Sequence, residues 1–183
     1  GVHQCPDLIM DQIPSGFPLK MTRRMVLEQT MRIYDPFGTL SPFTLRAKEL
    51  LRQTWTLKLE WDQELPLELR AEWVKFFTNM FQLTEIKFDR SLTPPDAVGE
   101  PLLVILSDGS DLAYGFAAYI RWRLSDGSFW SRLIMAKSRI APMHKLSTPQ
   151  MELNGAVLSK RARVVLEKEL RVTFEHVYHL LDS

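Results

Sequence analysis

Up to about residue 90 the apolar positions of this chain recur at helical spacing, and beyond about residue 100 the spacing falls to two. Met25, Ile33 and neighbouring apolar residues predict a helix within Met21 to Tyr34. Asp35-Pro36-Phe37-Gly38 closes it, because proline disfavours the helical conformation at the residue before it. A second helix is expected from Ser41-Pro42, with serine as cap and proline at the first position, running through Leu45, Leu50, Leu51 and Trp55. A third follows Pro66, with Leu69, Trp73, Phe76, Phe77 and Met80 forming one stripe. Trp55, Trp61 and Trp73 read as core aromatics, the commoner role of tryptophan at such spacing.

The segment Ser91 to Pro101 carries three prolines and a glycine and reads as a linker. Leu102 to Leu106 is then a continuous apolar run, as expected of a central strand. From Phe116 to Leu124 the residues alternate, with Phe116, Ala118, Ile120, Trp122 and Leu124 on one face and Tyr119, Arg121 and Arg123 on the other. Ser125-Asp126-Gly127 supplies turn chemistry, and Phe129 to Ala136 returns as a hairpin partner. Ser147-Thr148-Pro149 starts a helix to about Leu170, with Leu153, Ala156, Val157 and Val164 expected on its buried face. Phe174 to Leu181 closes as a strand. The reading is α/β: a mixed sheet ordered strand, hairpin, helix, strand over 101–183, a linker over 91–100, a mainly helical subdomain over 21–90 and an irregular leader over 1–20.

This order has a chemical consequence. A right-handed crossover lays the last strand parallel to the first, ~4.8 Å away, so Asp108 and Asp182 emerge side by side at carboxyl ends of strands, where open α/β sheets place their ligands. With Thr148 as cap, the third helical position is Met151, so Glu152 misses the capping-box slot and is free for other work. Three carboxylates in one cleft repel unless a cation or a shared proton offsets them, and Mg²⁺ takes oxygen ligands of this kind, with Mn²⁺ as a substitute. Asp108, Glu152 and Asp182 are therefore the candidate metal ligands. Asp111 reads as a solvated turn residue.

Composition narrows the partners. Among 183 residues, 23 lysines and arginines face 22 acids, so the net charge of +1 gives no global attraction to nucleic acid or anionic membranes. Phosphate binding must be local: Arg121 and Arg123 on a strand, Lys137, Arg139 and Lys145 on the approach to Glu152, and Lys160, Arg161 and Arg163 along the helix. His144 and His179 read as structural. One cysteine, Cys5, excludes an internal disulfide framework and fits a reducing compartment, and no apolar stretch approaches the ~20 residues of a membrane span. An intracellular, cytoplasmic protein without a membrane partner is expected.

Several segments carry a resemblance: Tyr34 to Pro42 (YDPFGTLSP), Trp61-Asp62, Asp108-Gly109-Ser110 with Ala113-Tyr114-Gly115, Ala136 to Pro142, and Thr148 to Leu153 (TPQMEL). In this order, over about Arg23 to Ser183, they resemble the Pol polyprotein of BEL/Pao-type LTR retrotransposons. The resemblance implies a thumb or connection segment followed by an RNase H-like domain whose acidic residues hold two Mg²⁺ ions and cleave the RNA strand of an RNA–DNA hybrid. It implies catalytic roles for Asp108, Glu152 and Asp182, the reverse transcriptase palm and integrase as neighbouring Pol domains, and residence in virus-like particles. Gly109 stands where the family's motif usually has alanine. The family's fourth acidic ligand, with its strand and final helix, would follow Ser183. Two functions remain open: a metal-dependent nuclease, or a non-catalytic module that grips nucleic acid or a partner.

Overall fold

The computed structural model describes residues 20–83 and 91–181, together with the backbone of two short strands, β1 (Val2–Gln4) and β2 (Lys87–Asp89). Two compact units emerge, one of Gly1–Pro36 with Pro42–Arg90, the other of Phe37–Ser41 with Ser91–Ser183. β1 and β2 pair antiparallel, Val2 opposite Asp89, so the leader read as irregular contributes a strand.

The helical unit is built from α1 (Arg23–Met31), α2 (Ser41–Thr56) and α3 (Leu67–Gln82). Thr22 caps α1, its Oγ1 accepting from the Met25 N–H at 3.3 Å, and the helix buries Val26 and Thr30 rather than Met25 and Ile33. In α2, Ala47, Leu50, Leu51 and Thr54 are buried, while Leu45 is half-buried. The α3 stripe Leu69, Trp73, Phe76, Phe77 and Met80 is buried as expected, with Trp73 5.5 Å from both Phe76 and Phe77.

The other two tryptophans depart from expectation. Trp55 and Trp61 are exposed and hold the Arg23 guanidinium between their rings, 3.8 and 4.3 Å from the centroids. Arg23 also donates to the Leu59 carbonyl at 3.0 Å, and Arg24 forms a two-pronged ion pair with Asp62. A planar cation satisfies two indole faces here, so these rings need no burial in a core.

The second unit is a four-stranded sheet in the order β5-β4-β3-β6, made of β3 (Ala97–Gly109), β4 (Ala113–Leu124), β5 (Phe129–Ile140) and β6 (His176–Leu181), with α4 (Thr148–Glu169) between β5 and β6. β3 pairs antiparallel with β4 and parallel with β6, and β4 pairs antiparallel with β5. β3 begins inside the segment read as a linker, whose upstream part is tied down by the Trp122 Nε1–H bond to the Leu92 carbonyl at 2.8 Å. Leu103, Ile105, Phe116, Ala118, Ile120, Trp122 and Ile134 form the core with Ala162 and Leu166 of α4.

The turn Phe37–Ser41 belongs to this unit. The Ala136 N–H donates to the Phe37 carbonyl at 2.7 Å and Ser138 Oγ to the Ser41 carbonyl at 3.1 Å, which occupies hydrogen-bonding groups of β5, an edge strand otherwise open to foreign strands.

The orientation of α4 corrects the sequence reading. Its buried residues are Met151, Gly155, Ser159, Ala162 and Leu166, while Leu153, Val157 and Val164 are exposed. The helix lies so close to the strands that small residues fill its inner line, and size, not hydropathy alone, selects that face. Its cap is Ser147 rather than Thr148, and the Ser147 N–H donates to Gln150 Oε1 at 2.9 Å. Gln150 thus holds the capping-box slot, and Glu152 remains outside it. No helix among the described residues is long and apolar enough to cross a membrane.

Candidate metal and nucleic-acid site

Asp108 lies one residue before the end of β3, opposite Gly115 of β4. Strand alternation points Ser107 and Gly109 toward α4 and Asp108 toward the other face. Its exposed carboxylate accepts the Gly109 N–H at 2.6 Å. Ser110 then builds the tight connection to β4: its N–H donates to the Ala113 carbonyl at 2.8 Å, and its Oγ accepts from the Ala113 N–H at 3.3 Å.

Two glycines bring the helix down to this strand end. A β-carbon on Gly109 would stand 2.5 Å from the backbone nitrogen of Glu152, and one on Gly155 would stand 2.8 Å from the Asp108 carbonyl oxygen. Both clashes are with backbone, which cannot rotate away. This explains the glycine at 109: α4 approaches too closely here for a methyl group. Gly155 was not singled out in the sequence, although the small residues Gly155, Ser159 and Ala162 at spacings of four and three were the available signal.

The half-buried Glu152 lies on the flank of α4 facing β6. Arg163 is eleven residues on, about three turns and hence on the same flank. That flank reaches His179 of β6, where burial holds the imidazole pKa below 6.5 and the charge of nearby Arg163 pushes it down further. Ser107 pairs with Leu181, so β3 and β6 end at the same rim. Asp182 lies outside the described residues. Asp108 and Glu152 thus reach one rim from the sheet and from the helix above it, and among the described residues neither forms an ion pair. Nor, among the described residues, do any three His, Cys, Asp or Glu side chains cluster closely enough to hold a metal ion.

The basic candidates fall into three groups. Arg139 opposite Tyr114 and Lys137 opposite Phe116 sit within one register step of the Asp108–Gly115 pair, and Lys145 is exposed on the segment leading into α4. Lys160, Arg161 and Arg163 lie further along α4, with Lys160 ~12 Å from Glu152 along the axis. Arg163 is ion-paired with Glu167 at 3.0 Å. Arg121 and Arg123 are not brought to the rim: they sit opposite Leu102 and Val98, and Leu102 is already ~20 Å along β3 from Asp108. Arg121 covers the Phe129 ring at 4.1 Å.

An antiparallel run of three strands, a helix, and a strand returning parallel to the first, with an aspartate closing the first strand and a glutamate early in the helix, is an RNase H-like arrangement. The chain belongs to the Pao retrotransposon-like RNaseH-like domain family, whose model matches residues 22–183 and so takes in the helical unit as well as the sheet. No curated protein matches it.

Proposed function

We propose that this domain hydrolyses the RNA strand of RNA–DNA hybrids within a retrotransposon Pol polyprotein, alongside a reverse transcriptase palm and an integrase, in the cytoplasm and in virus-like particles. The observation that carries this reading is the contact of α4 with the end of β3 through Gly109 and Gly155, which brings the backbone of Glu152 against the strand end that carries Asp108, with neither carboxylate ion-paired among the described residues. The donor set fits Mg²⁺ or Mn²⁺, since exposed and half-buried carboxylates are hard oxygen ligands. Asp108, Glu152 and Asp182 would hold the metal. A pair of such ions supplies an activated water and stabilises the leaving 3′ oxygen. The protein's own share is to hold the acceptor oxygens on rigid elements and to bind phosphate. Lys137, Arg139 and Lys145 border the rim and would grip the strand being cut, while Arg121 and Arg123 would engage phosphates further along the duplex. Contacts of this kind read shape and backbone, so base specificity should be slight.

A second reading, a module that binds nucleic acid or a partner without cutting, is favoured by the rim itself, where among the described residues no three His, Cys, Asp or Glu side chains cluster closely enough to hold a metal ion. Cleavage of a labelled RNA–DNA hybrid in Mg²⁺ and in Mn²⁺, by this chain and by a C-terminally extended protein, separates the two. The nuclease reading expects cleavage that Asp108→Asn and Glu152→Gln each abolish while the melting temperature without metal stays nearly unchanged. An intact RNA strand with both proteins in both metals would leave the binding module as the function.

A further inference from the structure

We propose that the outer face of α4 docks an acidic amphipathic helix of a partner protein, a role separate from hydrolysis at the rim. The inner line of α4 is committed to the sheet through Met151, Gly155, Ser159, Ala162 and Leu166. On the opposite side Leu153, Val157 and Val164, spaced by four and seven residues, fall within about 40° of one another around the axis. They are 64%, 43% and 61% exposed. A surface helix ordinarily presents polar residues at that position. Here Leu153, Val157 and Val164 span ~16 Å along it, with Lys160 in the same line between the two valines, a ridge of the shape that fits the groove of another helix.

Charge decides the occupant. Lys160 lies in the row and Arg161 beside it, and among the described residues neither has an ion-pair partner, whereas Arg163 is paired with Glu167 and Lys168 with Glu169. A second copy of this chain would bring Lys160 and Arg161 against their own counterparts, which is repulsive. A phosphate backbone would match the two cations and leave the aliphatic row covered by nothing apolar. A lipid surface would be met by three short aliphatic side chains without an aromatic anchor. A helix with an aliphatic stripe bordered by aspartate or glutamate satisfies both the row and the cations, burying the first and neutralising the second.

The test uses the full chain and two synthetic helical peptides carrying the same leucine stripe, one flanked by glutamates and one by lysines, with binding followed by fluorescence anisotropy. Saturable binding of the glutamate peptide, at least about tenfold tighter than the lysine peptide, is expected. The combined Leu153→Ser, Val157→Ser and Val164→Ser variant should lose it. Lys160→Glu with Arg161→Glu should exchange the preference, a readout that leaves the aliphatic row and the fold intact. Equal binding of both peptides, binding of neither, or unchanged binding by the serine variant would overturn the proposal. So would self-association in sedimentation, binding to phosphatidylserine vesicles, or binding to an RNA–DNA hybrid, if the serine variant removed it, since each assigns the face to a different occupant.

Discussion

Gly155 of α4 rests against the carbonyl oxygen of Asp108, so close that a β-carbon would stand 2.8 Å from that oxygen. The contact sets the height of the helix above the strand and thereby the position of Glu152 at the rim. Alanine is favoured over glycine inside a helix by ~1 kcal/mol, yet the overlap it would create is of the kind that costs ~1–3 kcal/mol, so the steric effect should prevail. Gly155→Ala is expected to lower stability in urea unfolding by up to about 2 kcal/mol, and Gly109→Ala, which meets the backbone of Met151 and Glu152, by at least as much. Any metal-induced rise in melting temperature should shrink in both variants. A Gly155→Ala protein more stable than the parent would show that α4 does not lie as close as the structure places it.

Gly38 makes a similar demand at the β5 edge. Its φ is +72°, and a β-carbon would overlap the Ala136 carbonyl oxygen. A left-handed conformation costs an ordinary residue ~1–2 kcal/mol and forced overlap adds a comparable amount, so Gly38→Ala should destabilise the sheet unit by roughly 2–4 kcal/mol. Hydrogen exchange at the Ala136 amide, which donates to Phe37, should accelerate together with the loss of stability. An unchanged Ala136 amide would mean the turn is not held by this contact.

These glycines mark where the sequence was legible and where it was not. The α3 stripe and the alternation of β4 could be read directly, because Trp73, Phe76, Ile120 and Trp122 are large and apolar and large apolar groups dominate burial. The inner face of α4 could not, because close approach selects glycine, serine and alanine there, while Leu153, Val157 and Val164 on the outside mimic a core stripe. The edge-protecting role of Phe37–Ser41 depends on a partner about a hundred residues away, which local pattern does not reveal. At the candidate site, the strand-end aspartate and a glutamate outside the capping slot were visible from turn and cap chemistry. The seat that joins them at Gly109 and Gly155 was not.

Trp73 and Trp61 predict unequal costs. Trp73 is fully buried, and Trp73→Ala should cost ~3–5 kcal/mol. Its indole Nε1–H is buried with no hydrogen-bond partner among the described residues, so Trp73→Phe removes an unsatisfied donor while keeping most of the ring and should cost far less. Trp61→Ala exposes little core and mainly releases Arg23, for which ~0.5–1 kcal/mol is expected at an exposed cation–π contact. Urea denaturation of the three variants checks the ranking, and a Trp73→Phe protein as unstable as Trp73→Ala would contradict it.

His179 ties stability to pH. Burial against the sheet is the main cause of its lowered pKa, with Arg163 and Lys160 adding repulsion and Glu167 opposing them. The folded state therefore binds its proton less readily than the unfolded chain, whose imidazole titrates near 6.5. The sign follows from linkage: the stabilisation is fully present above pH 6.5 and is lost as the pH falls from there through the lower, folded-state value. His179→Gln should flatten the melting temperature against pH in that window and leave it unchanged above pH 7.5. Arg163→Gln removes the adjacent cation and raises the folded-state value toward the unfolded one, so the loss should still begin near pH 6.5 but be smaller and finish at a higher pH than in the parent. A melting profile for His179→Gln that parallels the parent from pH 7.5 to 5 would assign the acid sensitivity to groups other than this imidazole.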